Sequence, residues 1–410
     1  MARGALRKSS VDGAPLPLRV SPRQVIAFRL RRLGLARPVK DLSRATGPVG
    51  LPDFPPGAAL SALAARLTST SPTALVDAFD ARTLVRLRAM RGAPVVVPVD
   101  EYDLFVDGML PPDEPSMRAF ITPAMDSVKR AKLSAEDAVD LVTRHATRAL
   151  ADEPLGRDQL HARLRDSLPR QLLPYCRPCE SHHVHPSLLY AVALKGRLVL
   201  FPRDDGPYLV WRFDRFIAAG KRGRKRAEGA AAPDPAVELL RRFLGAYGPS
   251  TATEFAAWAG IGGGQPQAAW SRLAHQLVRV ELKAGEGKAT TRCLLADDAS
   301  ELLAADHVSA ESTVRLLAPG DALLQLRDRD TLVHDPAMQK VIWKNLSPSG
   351  VVLIGPDVAA VARLQKKKNV LHVTIDPVRR FDRPVRTAVE VAAERLAMLR
   401  ACSEVNVAWS

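Results

Sequence analysis

Two thiols and three imidazoles fall within one short stretch of this chain, Cys176-x-x-Cys179-x-x-His182-His183-Val184-His185. Zinc takes soft thiolates and imidazoles in a tetrahedron, and this cysteine spacing suits a metal knuckle. Two thiols with one or two histidines would make a structural zinc site. Cys176, Cys179 and His183 are the candidate ligands, joined by His182 or His185. The plainer alternative, a buried cysteine pair in a turn with exposed histidines, is the favoured one. A hydrolytic zinc would want a general base nearby, and only Glu180 stands there. Cys293 and Cys402 stand alone and read as small core residues. No other catalytic signature is present. The chain lacks a phosphate-binding Gly-Lys-Ser/Thr loop, a Gly-x-Gly-x-x-Gly after a strand, a Gly-x-Ser-x-Gly elbow and a His-Glu-x-x-His pair. No cofactor is expected beyond that zinc.

The second chemistry that the residue types suggest is anion binding. Across 410 residues, 59 Lys+Arg oppose 44 Asp+Glu, giving a net charge of +15 and a pI near 10.0. The first fifty residues alone hold eleven Lys/Arg and two acids. Such an excess points to a polyanionic partner, and double-stranded DNA leads. From Pro22 a helical pattern sets Val25, Phe28, Leu30 and Leu33 against Arg23, Arg29, Arg31 and Arg32. Those arginines are candidate phosphate contacts, with a solvated amphipathic helix as the alternative. A second run holds Arg212, Arg215, Lys221, Arg222, Arg224, Lys225 and Arg226 before a Gly/Ala/Pro-rich stretch. Lys366 to Lys368 reads as a solvated hairpin tip.

Composition bounds the rest. A hydrophobic share of 47% is enough for several cores, so disorder over most of the chain is excluded. No apolar run reaches the ~18 residues of a spanning helix, and no membrane partner is expected. The N-terminus lacks the apolar core of a signal peptide, and four cysteines are too few for a disulfide scaffold. A cytoplasmic monomer is the expectation.

The elements that must position these residues read as α+β: tandem winged helix-turn-helix domains followed by a small C-terminal β-rich domain. Residues 1–20 read as a disordered basic tail, 21–110 as a first winged helix, and 111–216 as a second. Residues 217–234 read as a basic Ala/Pro linker, 235–310 as a third winged helix, and 311–400 as the β-rich domain. In the first block, Ala58 to Leu67 is helical, and Asp80 starts a helix through Thr83, Leu84 and Leu87. In the third, Ser250 to Thr253 caps a helix to Ala259, Gly260 to Gly264 turns the chain, and Pro266 to Leu277 is helical. On that reading Gln267, Ser271, Arg272 and Gln276 face outward from a recognition helix. A winged helix used only for packing is the alternative.

Several motifs in this order resemble the AlkZ/YcaQ-like winged-helix DNA-binding proteins, a bacterial family that includes DNA glycosylases. They are Arg23-Gln-Val-Ile-Ala-Phe-Arg29, Asp53-Phe-Pro-Pro-Gly57, Thr83 to Arg86 leading to Met90-Arg91-Gly92, Cys176-x-x-Cys179 with His183, Gly248-Pro-Ser-Thr251, and Gln325 to Asp330. The resemblance implies three tandem winged helices around a DNA cleft, and it adds Arg91 to the candidate DNA contacts. Its glycosylases use a short polar pair, Gln-x-Gln or Gln-x-Asp, to orient water and stabilise an oxocarbenium-like sugar. Here Asp53 is kept and is the candidate catalytic residue, but the glutamine position is Pro52. A histidine expected shortly after Gly92 is Val95. Both departures weigh against catalysis. Asp53 reads slightly better as a helix cap ahead of Ala58. The expected function is a protein that binds duplex DNA in a basic cleft. The alternatives are an active glycosylase for alkylated bases, and a non-catalytic structural or interaction protein.

Overall fold

A computed structural model describes residues 16–201, 208–220, 233–283, 289–307 and 313–410. The chain opens with β1 (Leu18–Val20) and the helix Pro22–Arg32. Ser21 starts that helix with a reciprocal cap: its hydroxyl accepts the Gln24 N–H, and the Gln24 amide oxygen accepts the Ser21 N–H.

One order then recurs. In the first block β2 (Leu51–Pro52) leads to helices Ala58–Arg66 and Ala74–Asp80, then to the hairpin β3 (Leu84–Arg88) and β4 (Pro94–Pro98). The short strand pairs with the second hairpin strand, giving the order β2-β4-β3. In the second block β5 (Leu155–Gly156) leads to helix Arg157–Ser167. A small hairpin, β6 (Tyr175–Cys176) and β7 (Ser181–His182), precedes helix Pro186–Lys195. The hairpin β8 (Leu198–Phe201) and β9 (Leu209–Arg212) closes the block in the order β5-β9-β8. In the third block the short strand shrinks to a bridge between Ser250 and Cys293. Helices Ala252–Ala259 and Gln265–Leu273 follow, then β10 (Leu277–Leu282) and β11 (Thr290–Leu295), with β1 added in parallel to β10. The C-terminal sheet runs β12 (Val314–Leu317), β13 (Gly350–Ile354), β14 (Asp357–Lys367), β15 (Val370–Pro377), β16 (Glu404–Trp409) in sequence order. Helix Arg383–Leu399 covers it, burying Val389, Ala393 and Leu396 against Val352, Ala360 and Val373. The chain is thus mixed helix and strand, and no described helix is long and apolar enough to cross a membrane.

Several expectations need correction. Leu84–Arg88 is a strand, not the continuation of a helix from Asp80. Arg82 adopts a left-handed φ of 56°, which ends the helix, and the strand pairs with the apolar Val95–Val97. Leu18–Val20 is a strand inside the segment expected to be a tail, and the C-terminal sheet extends past residue 400 through β16. The first helix packs on the third block: Val25 and Phe28 meet Val280, Leu282, Leu294 and Leu302. Lys366 and Lys367 end β14 at the expected hairpin. Lys221, Arg222, Arg224, Lys225 and Arg226 lie outside the described residues, as do residues 1–15.

The blocks share one core. Tyr102, Phe105, Phe243, Phe255 and Trp258 join Met90 of the first block to Leu324 and Leu353 of the last. Two buried ion pairs cross it. Arg66 reaches Asp321 through two bonds, of 2.6 and 3.0 Å, and donates to the Leu33 and Ala62 carbonyls. Arg29 pairs with Asp328 at 2.7 Å and donates to the Tyr247 and Pro249 carbonyls. At 1% exposure, Arg29 has nothing left to offer a phosphate. Its neighbours are engaged too: Arg23 with Asp357, Arg31 with the Ala305 carbonyl, and Arg32 with Asp298 and Glu301. Arg29 and Arg32 thus tie this helix to acids contributed by later blocks, Arg31 meets a backbone carbonyl, and Arg23 pairs with its acid at the exposed surface.

Removing one partner of a fully buried pair strands the other charge, at a cost of about 3–5 kcal/mol. Asp321→Ala is expected to lower the free energy of urea unfolding by that much. Asp357→Ala, which removes only the exposed partner of Arg23, should cost at most ~1 kcal/mol. Equal, small effects would show that the buried pair does not hold the blocks.

Candidate nucleic-acid interface

The four blocks converge on a cavity of about 450 Å³. Strand alternation builds its first wall. Along β2 and the residues after it, Pro52 and Phe54 face the cavity, while Leu51 and Asp53 turn into the protein. Pro52 stands directly opposite Val95 in the β2–β4 ladder, and Val95 also lines the cavity. β2 is an edge strand, where a proline without an N–H is tolerated. The two positions where the resemblance leads one to expect Gln and His are thus cross-strand neighbours, and here both are apolar. Phe54 lies at the mouth and is 65% exposed.

The end of β3 and the turn after it supply the cations. Arg91 has a left-handed φ of 55° and Gly92 one of 70°. A Cβ on Gly92 would come within 2.1 Å of the Tyr190 ring, so only glycine allows this approach. Arg91 donates to Gln325 Oε1 at 2.9 Å and to the Ala257 and Trp258 carbonyls at the end of helix Ala252–Ala259. Burial, and then Arg327, hold its pKa below the ordinary arginine value. Gly260 ends that helix with φ +75°, and a Cβ there would strike the Arg91 backbone at 2.6 Å. Arg88 donates to the Gly92 carbonyl at 2.9 Å, and its guanidinium lies 5.3 Å from the Tyr190 ring and 5.9 Å from that of Tyr208. Trp258 closes the floor and packs into the shared core. Among the described residues, the lining holds two guanidiniums, two phenols, an indole and one amide, with no carboxylate.

Asp53 is not in that lining. It is 4% exposed; its Oδ1 accepts the N–H groups of Gly57 and Ala59 at 3.0 Å, and its Oδ2 pairs with Arg86 at 2.7 Å. Both oxygens are thus spent on the start of helix Ala58–Arg66 and on Arg86, whose guanidinium lies over the Phe79 ring. Of the other sequence candidates, Gln267, Ser271 and Arg272 lie exposed on helix Gln265–Leu273. Arg272 pairs with Asp234, and the half-buried Gln276 accepts a bond from Arg241. Only Arg91 of the named candidates reaches the cavity. Sequence reasoning missed Phe54, Arg88, Tyr190, Tyr208 and Gln325 as a group. Phe54 and Gln325 lay inside quoted motifs, but nothing local joins them.

A second cavity, of about 750 Å³, adjoins the first, and Arg88 and Tyr190 line both. Its walls carry Cys176, Cys179, His183 and His161 with Arg157 and Arg165. The two Sγ atoms and a His183 ring nitrogen lie within 4.8 Å of one another. The Cys179 thiol is raised above its ordinary pKa, first by its hydrogen bond with Cys176. Burial, helped by His183, pushes His161 down to about 4. His182 bonds the Leu173 carbonyl, and His185 accepts the Ser187 N–H to start helix Pro186–Lys195; neither ring belongs to the group formed by the two thiols and His183.

The family model described as DNA glycosylase AlkZ-like matches residues 47–399. No curated protein matches the chain. Among solved structures, the DNA glycosylase AlkZ of Streptomyces sahachiroi is similar, at a TM-score of 0.71 and 21% identity. That match covers 96% of this chain and 100% of the other, and it establishes a shared fold.

The placement of Asp53 predicts a structural effect. Asp53→Ala removes two first-turn caps and leaves the Arg86 guanidinium, itself little exposed, without its acid. Unfolding in urea should lose roughly 2 kcal/mol or more. A change within about 0.5 kcal/mol, the range of neutral surface substitutions, would contradict the capping role.

Proposed function

The chain belongs to the AlkZ-like DNA glycosylase family, and on that footing we propose that it binds duplex DNA over the central cavity without cleaving the glycosidic bond. The three recurring blocks are read as winged helices, each with its short strand paired to the second strand of the wing. The middle recognition helix, Pro186–Lys195, brings Tyr190 to the cavity, and the first wing brings Arg88 and Arg91. Exposed Gln267, Ser271 and Arg272 supply a further contact strip on the third. Family kinship ties the protein to DNA repair.

The observation that carries this reading is the sign of the cavity. Excising a base develops positive charge on the sugar and needs a carboxylate or amide acceptor to hold the attacking water. Two guanidiniums disfavour that charge, and they suit a phosphate or the acceptor edge of a base. The one amide in the lining, Gln325, has its oxygen engaged by Arg91. Phe54, exposed at the mouth just past the edge strand β2, is placed to wedge or stack against bases.

The second reading is an active glycosylase for alkylated bases, and family membership favours it. It would require Asp53 to leave Arg86 and the helix start and turn into the cavity.

Binding to duplex DNA should weaken steeply with salt, with a log–log slope near −0.9 for each phosphate neutralised. Arg88→Ala should make that slope shallower by about one phosphate contact. Phe54→Ala, at an exposed position, should leave the unfolding midpoint unchanged and cost about 1–3 kcal/mol of binding. Absent or salt-insensitive binding would remove the DNA reading. Incubation with N7- and N3-alkylated duplexes, followed by alkaline cleavage, should reveal no abasic sites. Strand breaks above background would establish the glycosylase instead.

A further inference from the structure

The small hairpin β6–β7 interrupts the second block between helices Arg157–Ser167 and Pro186–Lys195. Its two strands hold two residues each, and its ladder is correspondingly short. An isolated hairpin of that size is marginal in water and calls for another tether. Arg165 provides one, donating to Ser181 Oγ at 3.1 Å and the His182 carbonyl at 3.4 Å.

We propose that the second tether is a zinc ion bound by Cys176, Cys179 and His183, with His161 as the fourth ligand. The three ligand atoms lie within 4.8 Å of one another. The histidine is already in the form a metal needs. His183 Nδ1 bonds the Val184 carbonyl at 2.9 Å, and a carbonyl only accepts, so the proton sits on Nδ1. The lone pair is left on Nε2, which is buried and has no hydrogen-bond partner among the described residues. A carbonyl fixing the distal ring nitrogen is the usual outer partner of a metal-bound imidazole. His161 offers a second orphan. Its Nδ1 is buried without a partner among the described residues, and its ring centroid is 4.7 Å from that of His183. His161 lies outside the group of three within 4.8 Å, but two unsatisfied buried nitrogens on neighbouring rings are costly unless something binds both. Two thiols and two imidazoles are the donor set of structural zinc. The ion would fasten the hairpin to helix Arg157–Ser167, which carries His161. It would thereby fix the start of the helix that brings Tyr190 to both cavities.

The test uses the unaltered full chain first. Purified under reducing conditions without chelator, it should carry about one zinc per chain. An organomercurial should release that zinc in step with two thiols. Cobalt exchange should give a thiolate-to-cobalt charge-transfer band and the visible bands of a tetrahedral ion. His161→Ala should weaken zinc binding by at least ~10-fold, since even outer partners of a metal site cost that much. His182→Ala and Cys293→Ser should leave it unchanged. Zinc well below one equivalent after incubation with the metal, or a cobalt spectrum without the thiolate band, overturns the site. Unchanged affinity in His161→Ala overturns the fourth ligand. If the His161 variant fails to fold, mercurial release from the unaltered chain still decides whether the thiols hold the ion, and competition with a zinc chelator against His161→Gln decides the fourth ligand.

Discussion

The Arg66–Asp321 pair is the joint on which the remaining geometry rests. Both side chains are 1% exposed, and the guanidinium also takes the carbonyls of Leu33 and Ala62. A charge so far from water must be fully met, and every partner here belongs to a different turn of the chain. Asp321 spends a further bond on the Leu323 N–H. The pair therefore fixes the helix Ala58–Arg66, and with it Pro52 and Phe54, relative to the segment that delivers Gln325. The Arg29–Asp328 pair repeats the device one layer away and sets the first helix against Tyr247 and Pro249. Burial raises the Tyr247 hydroxyl far above its ordinary pKa, and it donates to the Ala322 carbonyl between the two pairs.

Held in this way, the blocks do together what none does alone. The central cavity takes its apolar wall from β2 and β4, its cations from the end of β3 and the turn after it, and a phenol from helix Pro186–Lys195. Its indole comes from the third block and its amide from the last. Gly92 and Gly260 let the turn, the tyrosine and the helix end approach within side-chain contact. The result is a cationic, aromatic recess. The family's chemistry calls for acceptors that stabilise positive charge, and this recess offers donors instead. Asp53 instead serves a helix start and Arg86.

The local layers were legible in the sequence. Cap residues and turn glycines marked the helices Ala58–Arg66, Ala252–Ala259 and Gln265–Leu273, the last domain is β-rich as expected, and the hairpin at Lys367 fell where the lysines suggested. The spacing of Asp53 to Ala58 already favoured a cap. Pairings across long separations were not legible. Asp328 lies 299 residues from Arg29, and Asp321 lies 255 from Arg66. An amphipathic pattern alone leaves such arginines on the solvent face. β1 and β16 escaped notice because each is a short strand whose pairing, in parallel, is set entirely by a distant neighbour. For the Cys/His stretch, residue types gave the donor set. Choosing His183 over His182 and His185 needed the folded positions of the rings, since only His183 joins the two thiols in one compact group.

The central claim is that DNA lies over this one cavity. Hydrogen–deuterium exchange of the full chain, with and without a duplex, tests it most directly. Bound DNA should slow exchange in the turn at residues 88–93 and at the start of helix Pro186–Lys195, while the C-terminal sheet β12–β16 is unaffected. Protection confined to that sheet, or none at saturating DNA, would contradict the account.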